Sequence, residues 1–219
     1  MSLKVTHKDL VAIISKIYAA FLEKMDYLND LDAKIGDGDH GLSMVTGLRA
    51  VDELVRSEPL LPIRQMLIRG GQQFNEAAGS TIGILIFSAM REAGNGIDEY
   101  KDSLGMADLA QMLDAAALGI MKRGKSQVGQ KSILDSLVPA SSAFSRIVQT
   151  GSMDEREAIQ AVIDAARAGA ESTREMVSSI GRAKWFSDRS LGIIDPGAMT
   201  GYLIIKAVGD YILGQGQNA

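Results

Sequence analysis

Apolar residues recur at spacings of three and four along almost all of this 219-residue chain, and clear period-two stretches are absent. Such a pattern puts one face of each segment against a core as a helix and leaves little material for a sheet. The first stripe runs through Leu10, Ile13, Ile14, Ile17, Phe21, Met25 and Leu28. Thr6 is suited to cap it, with Asp9 in the acidic first turn. Further helices are predicted at 42–57, 62–77, 81–93, 106–123, 132–149, 154–180 and 197–214. Pro62 and Pro196 stand where a helix begins, and Gly124, Gly151 and Gly181 where one ends. Pro139 falls inside the sixth helix and predicts a kink there. The isoleucine-rich run 82–90 is compatible with a buried strand, but a lone strand has no partner, so a helix is expected. Eight helices joined mostly by short loops predict an all-α, antiparallel up-and-down bundle, with 1–219 as a single domain.

Composition narrows the class. Hydrophobic residues make up 46%, enough for one substantial core, and charges are dispersed rather than blocked. No apolar run reaches the length of a membrane span; the longest, Ile82 to Met90, is interrupted by Gly83 and Ser88. Met1 to Leu10 lacks the basic-then-apolar order of an export signal. Cysteine is absent, which excludes disulfides and thiolate metal sites and suits the cytoplasm. A net charge of −4 with 5% aromatics argues against nucleic acid.

The loops differ in character. Segments 31–41, 124–131 and 182–197 are rich in Gly, Asp and basic residues, and the junction Ala77-Ala78-Gly79-Ser80-Thr81 is small and polar. In an up-and-down bundle these are the odd-numbered connections, so they are expected at one end. Within the first, Asp32, Asp37 and Asp39 fall within eight positions, separated by glycines and followed by a helix. Glycines let nearby aspartates converge. Converging carboxylates repel unless a cation lies between them. Hard oxygen ligands of this kind suit magnesium shared with phosphates.

Two familiar patterns match and fail on mechanism, and a third, a calcium loop, does not match. Gly119-Ile-Met-Lys-Arg-Gly124-Lys125-Ser126 satisfies the P-loop expression, yet a helical stripe precedes it where a strand is required. Gly36-Asp-Gly-Asp-His-Gly41 satisfies the dinucleotide fingerprint, but also without a strand, and its aspartates would repel a bare pyrophosphate. Counted from Asp37, an EF-hand would need Glu at the twelfth position, which is Leu48. The chemistry left is a nucleotide di- or triphosphate bridged to the protein by magnesium. Helix N-termini after Gly41 and Gly79 offer free N–H groups to phosphates, and His40, Ser43, Ser80 and Thr81 can add hydrogen bonds. Arg182 and Lys184 can cover the phosphates as a mobile clamp. Asp195-Pro196-Gly197 reads as a helix cap whose Gly197 amide can face a ligand.

Leu31-Asp32, Ile35-Gly-Asp-Gly-Asp-His-Gly-Leu42, Arg123-Gly-Lys125, Gly129, Lys131, Gly181-Arg-Ala183, Arg189-Ser-Leu-Gly192 and Asp195-Pro-Gly-Ala198 together closely resemble the nucleotide-binding L subunit of dihydroxyacetone kinase, in the right order over essentially the whole chain. The resemblance implies an eight-helix barrel with ADP or ATP at one end and two magnesium ions on Asp32, Asp37 and Asp39. It implies nucleotide contacts from His40, Gly41, Leu42, Ser43, Ala77, Ala78, Gly79, Ser80, Gly124, Ile133, Arg182, Asp195, Pro196 and Gly197, with Arg182 the catalytic side chain.

Some positions depart from that family. Ser43 stands for the usual Asn, Asn75-Glu-Ala-Ala-Gly-Ser80 replaces a more glycine-rich loop, and Ile133 and Ile193 replace a Met and a His. These changes touch contacts to base and ribose rather than to metal. In the family the ketose is held covalently by a histidine on a separate K subunit; only His7 and His40 exist here. The resemblance therefore implies half an enzyme, with a K-type subunit as partner. A phosphotransferase-system phosphoprotein that recharges bound ADP and a second copy as a homodimer are further expected partners. A fatty-acid kinase nucleotide domain would carry Asp-Gly-Asp-Thr-Gly, which His40 contradicts; a regulatory binder is the non-enzymatic alternative.

Overall fold

The computed structural model describes residues 3–215. In chain order the elements are β1 (Val5–Thr6), α1 (His7–Ala33), α2 (His40–Ser57), α3 (Ile63–Ala78), α4 (Thr81–Asn95), β2 (Ser103–Leu104), α5 (Met106–Gly124), α6 (Leu134–Thr150) and α7 (Glu155–Ser172). Two 3-10 turns (Thr173–Glu175 and Arg182–Phe186), the single-turn α8 (Ser187–Ser190) and α9 (Pro196–Gln215) follow. Each long helix packs on the next, α7 packs on α9, and α9 packs on α1. The ring is therefore closed, an up-and-down barrel of eight long helices.

Local chemistry sets the ends as expected in most places. The Asp9 carboxylate accepts from the Thr6 N–H at 2.8 Å, and the Asp9 N–H donates to Thr6 Oγ1 at 3.4 Å, a reciprocal cap. Gly79 and Gly151 take left-handed φ of 55° and 58° just after α3 and α6, a conformation glycine adopts without a Cβ penalty. Segment 82–90 is helical, within α4.

Two expectations need correction. The seventh helix does not run to residue 180; α7 stops at Ser172. The carbonyls of Thr173 and Met176, which a continuing helix would use, instead accept from the buried Lys131 ammonium at 2.8 and 3.0 Å. α5, by contrast, ends at Gly124 as expected, and Lys125 just beyond it takes the left-handed turn, φ 49°. A small sheet also exists: β1 and β2 pair antiparallel, Val5 opposite Leu104 and Thr6 opposite Ser103, too short to carry any periodic signal.

The α1 stripe is buried at Leu10, Ile13, Ile14, Ile17, Phe21 and Leu28. Inside the ring lies a cavity of about 280 Å³, lined by apolar side chains that include Met66, Phe74, Ile120, Phe144, Ile159 and Ile204. Pro139 sits within α6, where its missing N–H frees the carbonyl of Asp135. Gly169 of α7 comes so close that a Cβ there would lie 2.1 Å from that oxygen. Gly169→Ala is therefore expected to push α6 and α7 apart and cost about 1–3 kcal/mol; urea unfolding of the variant measures it.

Candidate functional site

Three of the four odd-numbered loops meet as parity requires. Arg182 of the last loop forms an ion pair with Asp37 of the first. Ser179 donates through its backbone N–H to the Gln130 carbonyl at 3.4 Å, joining the last loop to the 125–133 connection. The 77–81 junction leads into α4, whose Leu85 stands beside Gly124 at the end of α5.

Asp32, Asp37 and Asp39 bring one carboxylate oxygen each within 4.8 Å of one another, with Asp32 half-buried and the other two exposed. The loop geometry follows from its glycines and from Asp32 itself. Asp32 Oδ2 accepts from the Gly38 N–H at 2.8 Å and the Asp39 N–H at 3.1 Å. Gly38 turns with φ 79°, and a Cβ on Gly36 would lie 2.3 Å from Asp32 Oδ1. The cluster fits a hard divalent cation: three oxygens converge, none is consumed by a buried lysine, and two remain open to solvent for a phosphate-bearing ligand. The exposed Arg182 pairs with Asp37.

Immediately beyond the cluster α2 begins at His40, and its cap residue Asp39 makes no side-chain cap hydrogen bond. The positive end of α2 thus faces the carboxylates, where it suits phosphate oxygens. Asn29 Oδ1 accepts from the Leu42 N–H at 3.2 Å. Gly41 packs so tightly on α1 that a Cβ would meet the Met25 carbonyl at 2.1 Å. His40 Nε2 lies 2.8 Å from Thr200 Oγ1 of α9. Burial pushes the His40 imidazole down to about 4, against the opposing pull of Asp32, so it is neutral at pH 7 and available as a hydrogen-bonding group.

The remaining predicted contacts take varied positions. Leu42 is 55% exposed at the rim, and Ser43 and Ala78 are half-buried. Ala77, Gly79 and Gly124 are exposed, and Ser80 Oγ is occupied in capping the Gly83 N–H at 3.3 Å. Ile133 is buried beneath Gly197, whose Cβ would lie 3.2 Å from the Ile133 nitrogen. Asp195 caps α9 as expected, its Oδ2 accepting from the Ala198 N–H at 2.7 Å. Gly197 packs beside that carboxylate, where a Cβ would lie 2.9 Å from Asp195 Oδ2. Burial pushes the Asp195 carboxyl up to about 7; the Ala198 N–H opposes this, Asp135 adds to it, and Lys131 opposes it. Three supporting residues lay outside the sequence reading: Asn29, Thr200 and Asp135, whose carboxylate accepts from the Gly129 and Ser132 N–H groups at 2.5 and 2.6 Å. Asn29 was detectable, since it precedes Asp32 by three on one helix face; Thr200 carries no such mark.

The P-loop match has the wrong frame. Gly119 packs inside α5 against Ser88, where a Cβ would lie 2.7 Å from its carbonyl oxygen, and Gly124 ends the same helix.

Residues 34–210 match the DAK2 domain. The chain belongs to the DAK2 domain family. Among curated relatives, it is 30% identical over 194 residues to the PEP-dependent dihydroxyacetone kinase 2, ADP-binding subunit DhaL, of Listeria innocua serovar 6a, covering 86% of this chain and 88% of the relative. It is 32% identical over 178 residues to the corresponding PEP-dependent kinase's ADP-binding subunit DhaL of Escherichia coli, covering 81% and 84%. With L-erythrulose 1-kinase of Mycolicibacterium smegmatis the identity is 31% over 210 residues, 94% of this chain but only 36% of that protein. The fold is that of the dihydroxyacetone kinase of Citrobacter freundii, with a TM-score of 0.71 at 24% identity over 91% of this chain and 34% of the other. Among the described residues, no helix is long and apolar enough to cross a membrane.

Proposed function

We propose that this chain holds a magnesium–adenine nucleotide at its aspartate-rich end and passes a phosphoryl group from it to a hydroxyl of a small ketose carried by a separate K-type subunit. The observation that carries the reading is the convergence of Asp32, Asp37 and Asp39 within 4.8 Å, beside the start of α2 and under Arg182. Bound there, magnesium supplies neutralisation of phosphate charge and polarisation of the phosphoryl oxygens. The chain's own residues do the rest by position. The start of α2, at His40 and Gly41, presents the helix's positive end to the phosphates, neutral His40 serves as a hydrogen-bond partner, and Arg182 meets negative charge on the moving group. Phosphoryl transfer asks little covalent chemistry of a protein, so such a set is sufficient.

The named relatives support the substrate class. Two are called ADP-binding subunits of PEP-dependent dihydroxyacetone kinases, which favours a nucleotide kept bound and recharged by a phosphoprotein. L-erythrulose 1-kinase points to a tetrulose as the other acceptor, and most of that protein lies outside the match, where a sugar site has room. His7 starts α1 with its Nε2 buried, and His40 lies against Thr200, so neither histidine is open to hold a ketose covalently. The isolated chain is accordingly expected to phosphorylate neither dihydroxyacetone nor erythrulose, and to gain activity when mixed with a K-type subunit. A coupled assay with and without that subunit is the test. Robust turnover by the isolated chain overturns the reading.

A further inference from the structure

Lys131 is a lysine in an unusual place. It is 2% exposed, has a left-handed φ of 62°, and directs its ammonium to backbone oxygens rather than to a carboxylate. Those oxygens belong to Thr173 (2.8 Å), Met176 (3.0 Å), Ser190 (2.5 Å) and Ile193 (2.7 Å). Removing a cation from water is costly unless it is fully engaged. Here the three N–H donors are shared among four carbonyls of one segment, two before and two after residues 177–189. The ammonium thus ties both feet of a loop whose tip carries Arg182.

The feet are reinforced locally. Gly192 donates its N–H to the Arg174 carbonyl at 2.7 Å, and Ser178 its N–H to Ser190 Oγ at 2.9 Å. The tip is different in kind. Arg182 and Lys184 are exposed, Trp185 is 85% exposed, and Gly181 turns with φ 63°. Lys131 follows directly on Gln130, the residue that Ser179 bonds, so the connection between α5 and α6 is the platform on which the loop stands.

We infer that Lys131 is a positioning residue, whose ammonium gathers the two feet of the 177–189 loop and so sets where Arg182 stands relative to the three aspartates. This rests on the role given to Arg182 under the proposed function, and the test separates the two. Trp185 is the sole tryptophan of the chain, and it reports on the tip. In Lys131→Met, tryptophan anisotropy is expected to fall, and trypsin to cut severalfold faster after Arg182, Lys184 and Arg189, while far-ultraviolet circular dichroism keeps its helical amplitude. Lys131→Gln, which keeps a donating amide, is expected to lie between the wild type and Lys131→Met in both readouts; it guards against a variant that merely misfolds. With a K-type subunit present, Lys131→Met is expected to lower kcat about tenfold or more with little change in magnesium–ADP affinity. Placed on an Arg182→Ala background it should cost nothing further, because residues acting through one another are not additive. Wild-type anisotropy and trypsin rates in Lys131→Met would overturn the inference, as would an undiminished tenfold loss on the Arg182→Ala background. Wild-type turnover by Arg182→Ala alone would remove the role of Arg182, and with it the positioning role, leaving the anchoring to be judged by anisotropy and trypsin.

Discussion

Asp37→Ala and Asp39→Ala are each expected to weaken magnesium–ADP binding by roughly 100-fold or more while leaving the helices intact. Outer residues around a metal already cost about 10–100-fold when lost, and a direct ligand costs at least as much. Both side chains are exposed and belong to a loop rather than to the barrel core, so their loss is expected to change folding stability by no more than about 0.5 kcal/mol. Asp32→Ala should lose binding too and also loosen the loop, because Asp32 accepts the Gly38 and Asp39 N–H groups. Lys125→Ala is the contrast. A P-loop lysine would abolish binding when removed, whereas Lys125 here is an exposed left-handed residue just past α5. Its loss is expected to change affinity little. Calorimetric titration of ADP into the four variants, with circular dichroism alongside, checks the ranking.

Arg182→Ala carries the second large effect, on turnover rather than binding. Assayed with a K-type subunit and ketose, kcat is expected to fall by roughly 10²-fold, the cost of losing one donor aimed at developing charge. Magnesium–ADP affinity should change by no more than about fivefold, since an exposed ion pair contributes little in the ground state. The pair with Asp37 gives the side chain its place above the metal loop. A variant that lost affinity and kept kcat would make Arg182 a clamp and not a participant.

The helices were legible because each buries one stripe against a shared interior, and a stripe is a local pattern. Leu10 through Leu28 announce α1 without help from any neighbour. Ring closure is not local: α1 meets α9 across the whole chain, and nothing in either stripe names the other. The convergence of loops followed from parity alone, and the contact of Arg182 with Asp37 agrees with it. What escaped was a place where one residue overrides the local code. Met176 and Val177 continue the apolar appearance of α7, yet Lys131, distant in sequence, takes the carbonyls that the helix would need.

The claim at the centre is that three aspartates hold a nucleotide through magnesium. Its most direct test is to titrate ADP into the chain by calorimetry, first with magnesium in excess and then with excess EDTA. Without a cation, three carboxylates face a polyphosphate and repel it, so binding should be tight in magnesium and undetectable in EDTA. An ADP affinity that is the same in both would contradict the account.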